Sequence, residues 1–156
     1  MTFADTYSLR TNLANFEKVA DAVDALLAQH QSAYTSGLIN TTSTSFVDYT
    51  SSSVAVTVAS GEYVLIFGEA VFSASGGSNN KASFQFTRDG SAIGKVAHSR
   101  GVSPGATDGV EQHVSWWHWE QPSAGAHTYK IQWKVSSGTL YSADSSLLAV
   151  VLQVGA

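Results

Sequence analysis

The sequence predicts a mainly β fold, a sandwich or barrel of eight strands preceded by one N-terminal α-helix. Two observations carry the β part. From residue 44 onward apolar and polar side chains follow a period of two, the period with which a strand sends side chains to opposite faces of a sheet. The runs are separated by Gly, Ser, Asn and Asp, the residues that tight turns demand. The helix rests on a third observation. Leu9, Leu13, Phe16, Ala20, Val23 and Leu27 fall at spacings of 4-3-4-3-4, which is a heptad seam.

The helix is expected over residues 11–31, within an N-terminal unit (1–31) that oligomerises or anchors. Thr11 can cap its N-terminus, without the Glu or Gln three residues on that completes a capping box. Val19 and Leu26 widen the stripe, which suits a trimer or larger bundle better than a two-stranded seam, and His30 continues the seam position. So short a helix is marginal alone in water. Two readings follow: a helix lying on the protein's own body, or a self-associating stalk with Leu13, Phe16, Val23 and Leu27 in the subunit interface. Residues 32–42 lose the helical period and are expected to be a linker, leaving 43–156 as the head.

In the head, strands are expected at Thr44–Tyr49, Val54–Ala59, Glu62–Phe72, Lys81–Arg88, Ala92–His98, Val110–Glu120, His127–Val135 and Leu147–Val154. Turns are expected at Ser60-Gly61, Gly76–Asn80, Ser136–Gly138 and Ala143–Ser146. Asp89-Gly90, between two alternating runs, is the strongest hairpin signal. Ser99–Gly109, with Pro104, is the longest loop of this half.

The strands are of two kinds. His127–Val135 alternates cleanly, with His127, Tyr129, Ile131, Trp133 and Val135 on one face and Thr128, Lys130, Gln132 and Lys134 on the other. Lys81–Arg88 alternates likewise, as a half-exposed strand should. Glu62–Phe72, Val110–Glu120 and Leu147–Val154 are instead apolar on both faces. In Val110–Glu120, Val110, Val114, Trp116 and His118 share one face and His113, Trp117 and Trp119 the other. Something must cover each side of these three strands. One cover is the chain's own core; the other is the functional question.

Composition narrows the answers. A chain of 156 residues can bury a core without staples. Charged residues make up 13%, against roughly 25% in an average globular protein. The formal net charge of −4 and scattered Lys and Arg argue against a nucleic-acid partner, which needs a basic face. There is no cysteine, and hence no disulfide framework. The start M-T-F-A-D lacks the features of a secretory signal, and no apolar run approaches the ~20 residues of a membrane helix, so no membrane association is expected.

The double-faced strands are the third, sixth and eighth of those expected in the head. In this, and in G-E-Y-V-L-I-F at Gly61–Phe67, A-G-A-H-T-Y-K-I-Q-W at Ala124–Trp133 and S-L-L-A-V-V-L at Ser146–Leu152, the chain resembles jelly rolls of the tumour-necrosis-factor and C1q type. It also resembles jelly-roll heads of bacteriophage virion proteins. The resemblance implies an eight-stranded antiparallel jelly-roll sandwich. Its third, sixth and eighth strands would lie side by side, their outer surface packing around a threefold axis, with Tyr63, Phe67, Trp117 and Trp119 in the subunit interface. It implies no catalytic residues. Absence of cysteine and of a secretory signal departs from secreted animal members and favours a phage structural protein.

None of His30, His98, His113, His118 and His127 has metal-ligand spacing to a second ligand, although a ring of His113 or His30 about a threefold axis could hold an ion. A serine with His127 and Asp144 makes a catalytic set only on paper, because no G-x-S-x-G elbow is present. No enzymatic activity, metal or cofactor is expected. The expected function is a homotrimeric capsid decoration, head-fibre or spike protein in the virion, attached to partners such as the major capsid protein. The alternative is a receptor- or carbohydrate-binding head of a tail fibre. There His113, Trp117 and Trp119 would form a sugar platform aided by Glu111 and Gln112, with the loops Ser73–Asn80 and Ser99–Gly109 as further places for recognition.

Overall fold

The computed structural model of the chain describes residues 30–75, 80–102 and 111–152. Within them the strands are β1 (His30–Thr41), β2 (Val47–Val58), β3 (Tyr63–Ser75), β4 (Asn80–Arg88), β5 (Ser91–Val102), β6 (Gln112–Glu120), β7 (Gly125–Val135) and β8 (Thr139–Leu152). They form two antiparallel four-stranded sheets, ordered β1-β8-β3-β6 and β2-β7-β4-β5. The fold is mainly β, a sandwich of jelly-roll kind. The third, sixth and eighth strands are neighbours in the first sheet, as expected. No helix among the described residues is long and apolar enough to cross a membrane.

The core lies between the sheets. Tyr129, Ile131, Trp133 and Val135 of β7 and Ala82, Phe84 and Phe86 of β4 meet Val64, Ile66, Ala70 and Phe72 of β3 and Leu147, Ala149 and Val151 of β8. An aromatic chain crosses it. Phe72 and Phe84 have ring centroids 5.2 Å apart, Phe84 and Trp116 5.5 Å, and Phe86 stacks on Trp116 at 5.1 Å. Gly68, paired with Trp116, makes room for this stack. A Cβ there would come within 2.7 Å of both Phe86 Cε1 and Trp116 Cζ2.

The β4–β5 hairpin turns through Asp89 (φ 51°) and Gly90 (φ 83°), the two successive positive φ values of a type I′ turn. Asp89 also ties this turn to β7. Its Oδ2 lies 2.7 Å from His127 Nδ1, while its Oδ1 accepts from Thr128 N at 2.8 Å.

Four expectations about elements need correction. The expected linker 32–42 is largely β1, paired with β8 from His30↔Val150 to Thr41↔Leu140. Its inward positions include Thr35 and Thr41, whose hydroxyls find backbone partners at Thr50 O and Ser43 N, so a polar residue faces in without penalty. The expected strands Thr44–Tyr49 and Val54–Ala59 are one strand, β2, interrupted by a register shift between Asp48 and Ser53 with Ser51 at φ 62°. The Ser52 hydroxyl mends the gap, donating to Tyr49 O (3.0 Å) and accepting from Ile131 N (3.2 Å). The expected turn Ala143–Ser146 lies inside β8 as a bulge, where buried Ser142 donates to Val71 O at 2.6 Å. Finally β5 runs on to Val102, into the expected loop. Of the expected helix only His30 and Gln31 fall within the described residues, and both belong to β1. Leu13, Phe16, Val23 and Leu27 lie outside the described residues.

Candidate functional site: the outer face of the β1-β8-β3-β6 sheet

Alternation along β3, β6 and β8 sends one set of side chains into the core and the other set outward. Register then aligns the outward set in rows across the sheet. Leu152 lies beside Tyr63; Val150, Leu65 and Trp119 follow His30; Leu148, Phe67 and Trp117 follow Ser32. The next rows are mostly polar: Tyr34, Ser146, Glu69 and Ser115, then Ser36, Asp144 and His113 with Val71 among them. The face is thus divided into an apolar half and a polar half.

In the apolar half Trp117 is 63%, Trp119 57% and Phe67 43% exposed, which are high values for large apolar side chains. Trp119 stacks on Tyr63 with ring centroids 5.4 Å apart, so the aromatics hold one another in place without being covered. A hollow of about 410 Å³ lies among Tyr63, Leu65, Trp119 and Leu152. A second, of about 380 Å³, straddles the boundary, with Phe67, Trp117 and Leu148 on one side and Glu69, Ser115 and Ser146 on the other. In the polar half His113 Nε2 lies 2.8 Å from Glu69 Oε1. Tyr34 donates to Asp144 Oδ1 at 2.7 Å, and this carboxylate partner raises the phenol's pKa.

All four head residues expected at an interface, Tyr63, Phe67, Trp117 and Trp119, share this face, and His113 sits on it two rows from Trp117. Leu65 joins them by the same alternation that pairs Tyr63 with Phe67, while Leu148 and Val150 and the polar set Glu69, Ser115 and Ser146 were missed. Only the cross-strand register brings them together; the period-two pattern was the signal for the apolar ones. Gln112 lies on the opposite side of β6, where Ser99 Oγ donates to its Oε1 at 2.5 Å, so it takes no part in the face.

The paper triad is not assembled. Asp144 bonds Tyr34 on the outer face, whereas His127 sits at the start of β7 against Asp89. His127 Nε2 meets Ser123 O at 2.8 Å, leaving neither ring nitrogen open to act as a base. Both partners are acceptors, which favours the doubly protonated ring. The Asp89 hydrogen bond, followed by that of Ser123, raises the His127 pKa, and the His127 hydrogen bond lowers that of Asp89. Among the described residues no group of three His, Cys, Asp or Glu side chains could hold a metal ion.

No protein-family model matches the chain, and no curated protein matches it by sequence. The fold does have solved counterparts. A chain of the infectious bursal disease virus Gt strain matches with a TM-score of 0.50 at 10% identity, over 78% of this chain and 32% of that one. Eiger TNF from S. frugiperda matches with a TM-score of 0.41 at 12% identity, over 82% of this chain and 96% of that one. The C-terminal domain of EclA, a sugar-binding protein, matches with a TM-score of 0.40 at 11% identity, over 72% and 78%. The chain spans about a third of the length of the infectious bursal disease virus chains it matches. These likenesses agree with the fold, a jelly-roll-like β-sandwich.

Proposed function

We propose that the chain is a non-enzymatic structural protein of a virus particle, a homotrimer that decorates a phage capsid or forms a head fibre or spike. The observation that carries this reading is the apolar half of the outer face. Trp117, Trp119, Phe67 and Tyr63, with Leu65, Leu148, Val150 and Leu152, form one contiguous patch. Monomeric proteins rarely leave such a patch to water, and interface cores favour aromatic residues. Each large side chain that a partner subunit covers contributes roughly 1.5–3 kcal/mol. The same patch repeated about a threefold axis would hold the assembly without chemistry. Partners on the particle, such as a major capsid protein, belong to the same proposal.

Light scattering on a sizing column tests it. The full chain is expected at three times its monomer mass, and Trp117→Ala or Trp119→Ala is expected to dissociate it. A monomer at all concentrations sinks the reading.

A second reading rests on the hollow at Phe67, Glu69, Ser115, Trp117 and Ser146. An exposed indole beside a carboxylate and two hydroxyls offers a stacking surface and polar contacts of the kind a sugar ring takes. If this reading holds, a glycan array gives hits that Trp117→Ala abolishes while the assembly state is unchanged.

A further inference from the structure

Among the described residues the two open sheets have four edge strands, β1, β6, β2 and β5. An edge presents backbone N–H and C=O groups to any extended chain, and proteins ordinarily blunt edges with bulges, twists or lysine. Three of these edges are blunted. β1 shifts register between Ser36 and Ile39 with Gly37 at φ 98°, and β2 between Asp48 and Ser53. β5 shifts where it faces Phe84 and Phe86, with Gly94 at φ 68°, and carries Lys95. β6 is different. It pairs with β3 without a shift from Val64↔Glu120 to Phe72↔Gln112 and contains no Pro, Gly or Lys.

β6 is also held out as a strand. At its start Ser99 Oγ bonds Gln112, and at its end Glu120 takes Arg88 at 2.8 Å and the Tyr129 hydroxyl at 2.9 Å. Between these ties the irregular β5 approaches β6 at Gly94, where an added Cβ would come within 2.8 Å of the His118 ring. A cleft of about 690 Å³ opens along β6, lined by Gly94 and Lys95 on one side and Ser115, Trp116, Trp117, His118 and Trp119 on the other.

We propose that this edge pairs with β6 of a second copy of the chain, antiparallel about a two-fold axis at Trp116, the middle residue of the strand. The two first sheets then become one sheet running through both copies. The strand is compatible with its own reverse. Ser115 meets Trp117, small against large; Val114 meets His118; Gln112 meets Glu120, an amide against a carboxylate; and no like charges face each other. Such a contact is isologous and closes at two copies. Ser115, Trp117 and Trp119 border both the edge and the outer face, but the pairing uses β6 backbone groups that contact across the face does not, so it does not rest on the trimer.

The test is amide hydrogen exchange with sizing on the full-length Phe67→Glu variant, in which a charge on β3 removes association through the face. Two-chain mass is expected at high concentration. Alternate β6 amides, those pointing away from β3, should slow about tenfold or more between micromolar and millimolar protein, by mass action. Adding Ser115→Lys, a charge of the sort that protects natural edges, should return the variant to monomer with those amides fast. Exchange that stays fast at every concentration overturns the pairing. So does protection independent of concentration, which means that the edge is covered from within the chain. Loss of the wild-type trimer by Phe67→Glu reports on the face alone, and a wild type that is not a trimer leaves the edge result unaffected.

Discussion

The outer faces of the two sheets are made of the same kind of strand and treat water in opposite ways. On the second sheet a polar ladder crosses three strands. Lys130 Nζ meets Asp48 Oδ2 at 2.7 Å, Gln132 Nε2 donates to Asp48 Oδ1 at 2.8 Å, and Gln85 Nε2 donates to Gln132 Oε1 at 2.9 Å. On the first sheet the corresponding rows carry Leu148, Phe67 and Trp117. The hydrogen-bonded face is finished as it stands. The aromatic face is finished only by what covers it. Burial of one face explains stability; the asymmetry of the other two is where function is to be sought.

The largest expected effect separates two adjacent residues. Trp116 stacks in the core, and Trp116→Ala should cost about 3 kcal/mol of unfolding free energy in denaturant titrations. Trp117→Ala should leave monomer stability nearly unchanged and act on association; equal losses for both would break the contrast between the faces. Next is Gly68→Ala. Its added Cβ meets two packed rings, so a loss of about 1–3 kcal/mol is expected from overpacking.

The His127–Asp89 pair gives a pH signature. The pKa of His127 is raised in the fold, so its contribution is full below its ordinary value of about 6.5 and fades as pH rises through the raised value. That of Asp89 is lowered, so its contribution fades as pH falls through the lowered value. The difference in Tm between wild type and His127→Gln should therefore be widest in mildly acidic solution and narrow toward both extremes; a difference that grows with alkalinity contradicts the pairing. The smallest effect is on the polar face, where Lys130→Ala should change stability by less than about 1 kcal/mol, because the pair it breaks is solvent-exposed.

The sequence carried the sheet neighbours well and the first sheet's edge poorly, for one physical reason. Apolar runs on both faces mark β3, β6 and β8 because each such side chain needs a cover, and the same logic placed Tyr63, Phe67, Trp117 and Trp119 together. β1 was illegible because Thr35 and Thr41 face inward with their hydroxyls bonded, which erases the contrast that a period-two pattern needs. The start of β8 was hidden likewise by buried Ser142 and Ser145. Glu69, Ser115 and Ser146 entered the site only through cross-strand register, and that of β8 shifts at a bulge that no composition rule foretells.

One buried contact has a consequence for how the sandwich finds a single arrangement. The Tyr49 phenol, its pKa raised by burial, reaches across the core to the Ser142 hydroxyl at 2.5 Å, and Ser142 donates onward to Val71 O. Apolar side chains would tolerate a sheet sliding over its partner by one pleat, since oil meets oil in either position. This relay would not, because the slip strands a phenol and a hydroxyl in a dry interior. Tyr49 and Ser142 therefore act as an alignment pin, discriminating against near-miss arrangements far more than they deepen the correct one. Tyr49→Phe would be expected to yield a protein nearly as stable but slower to settle, with misaligned species visible during refolding.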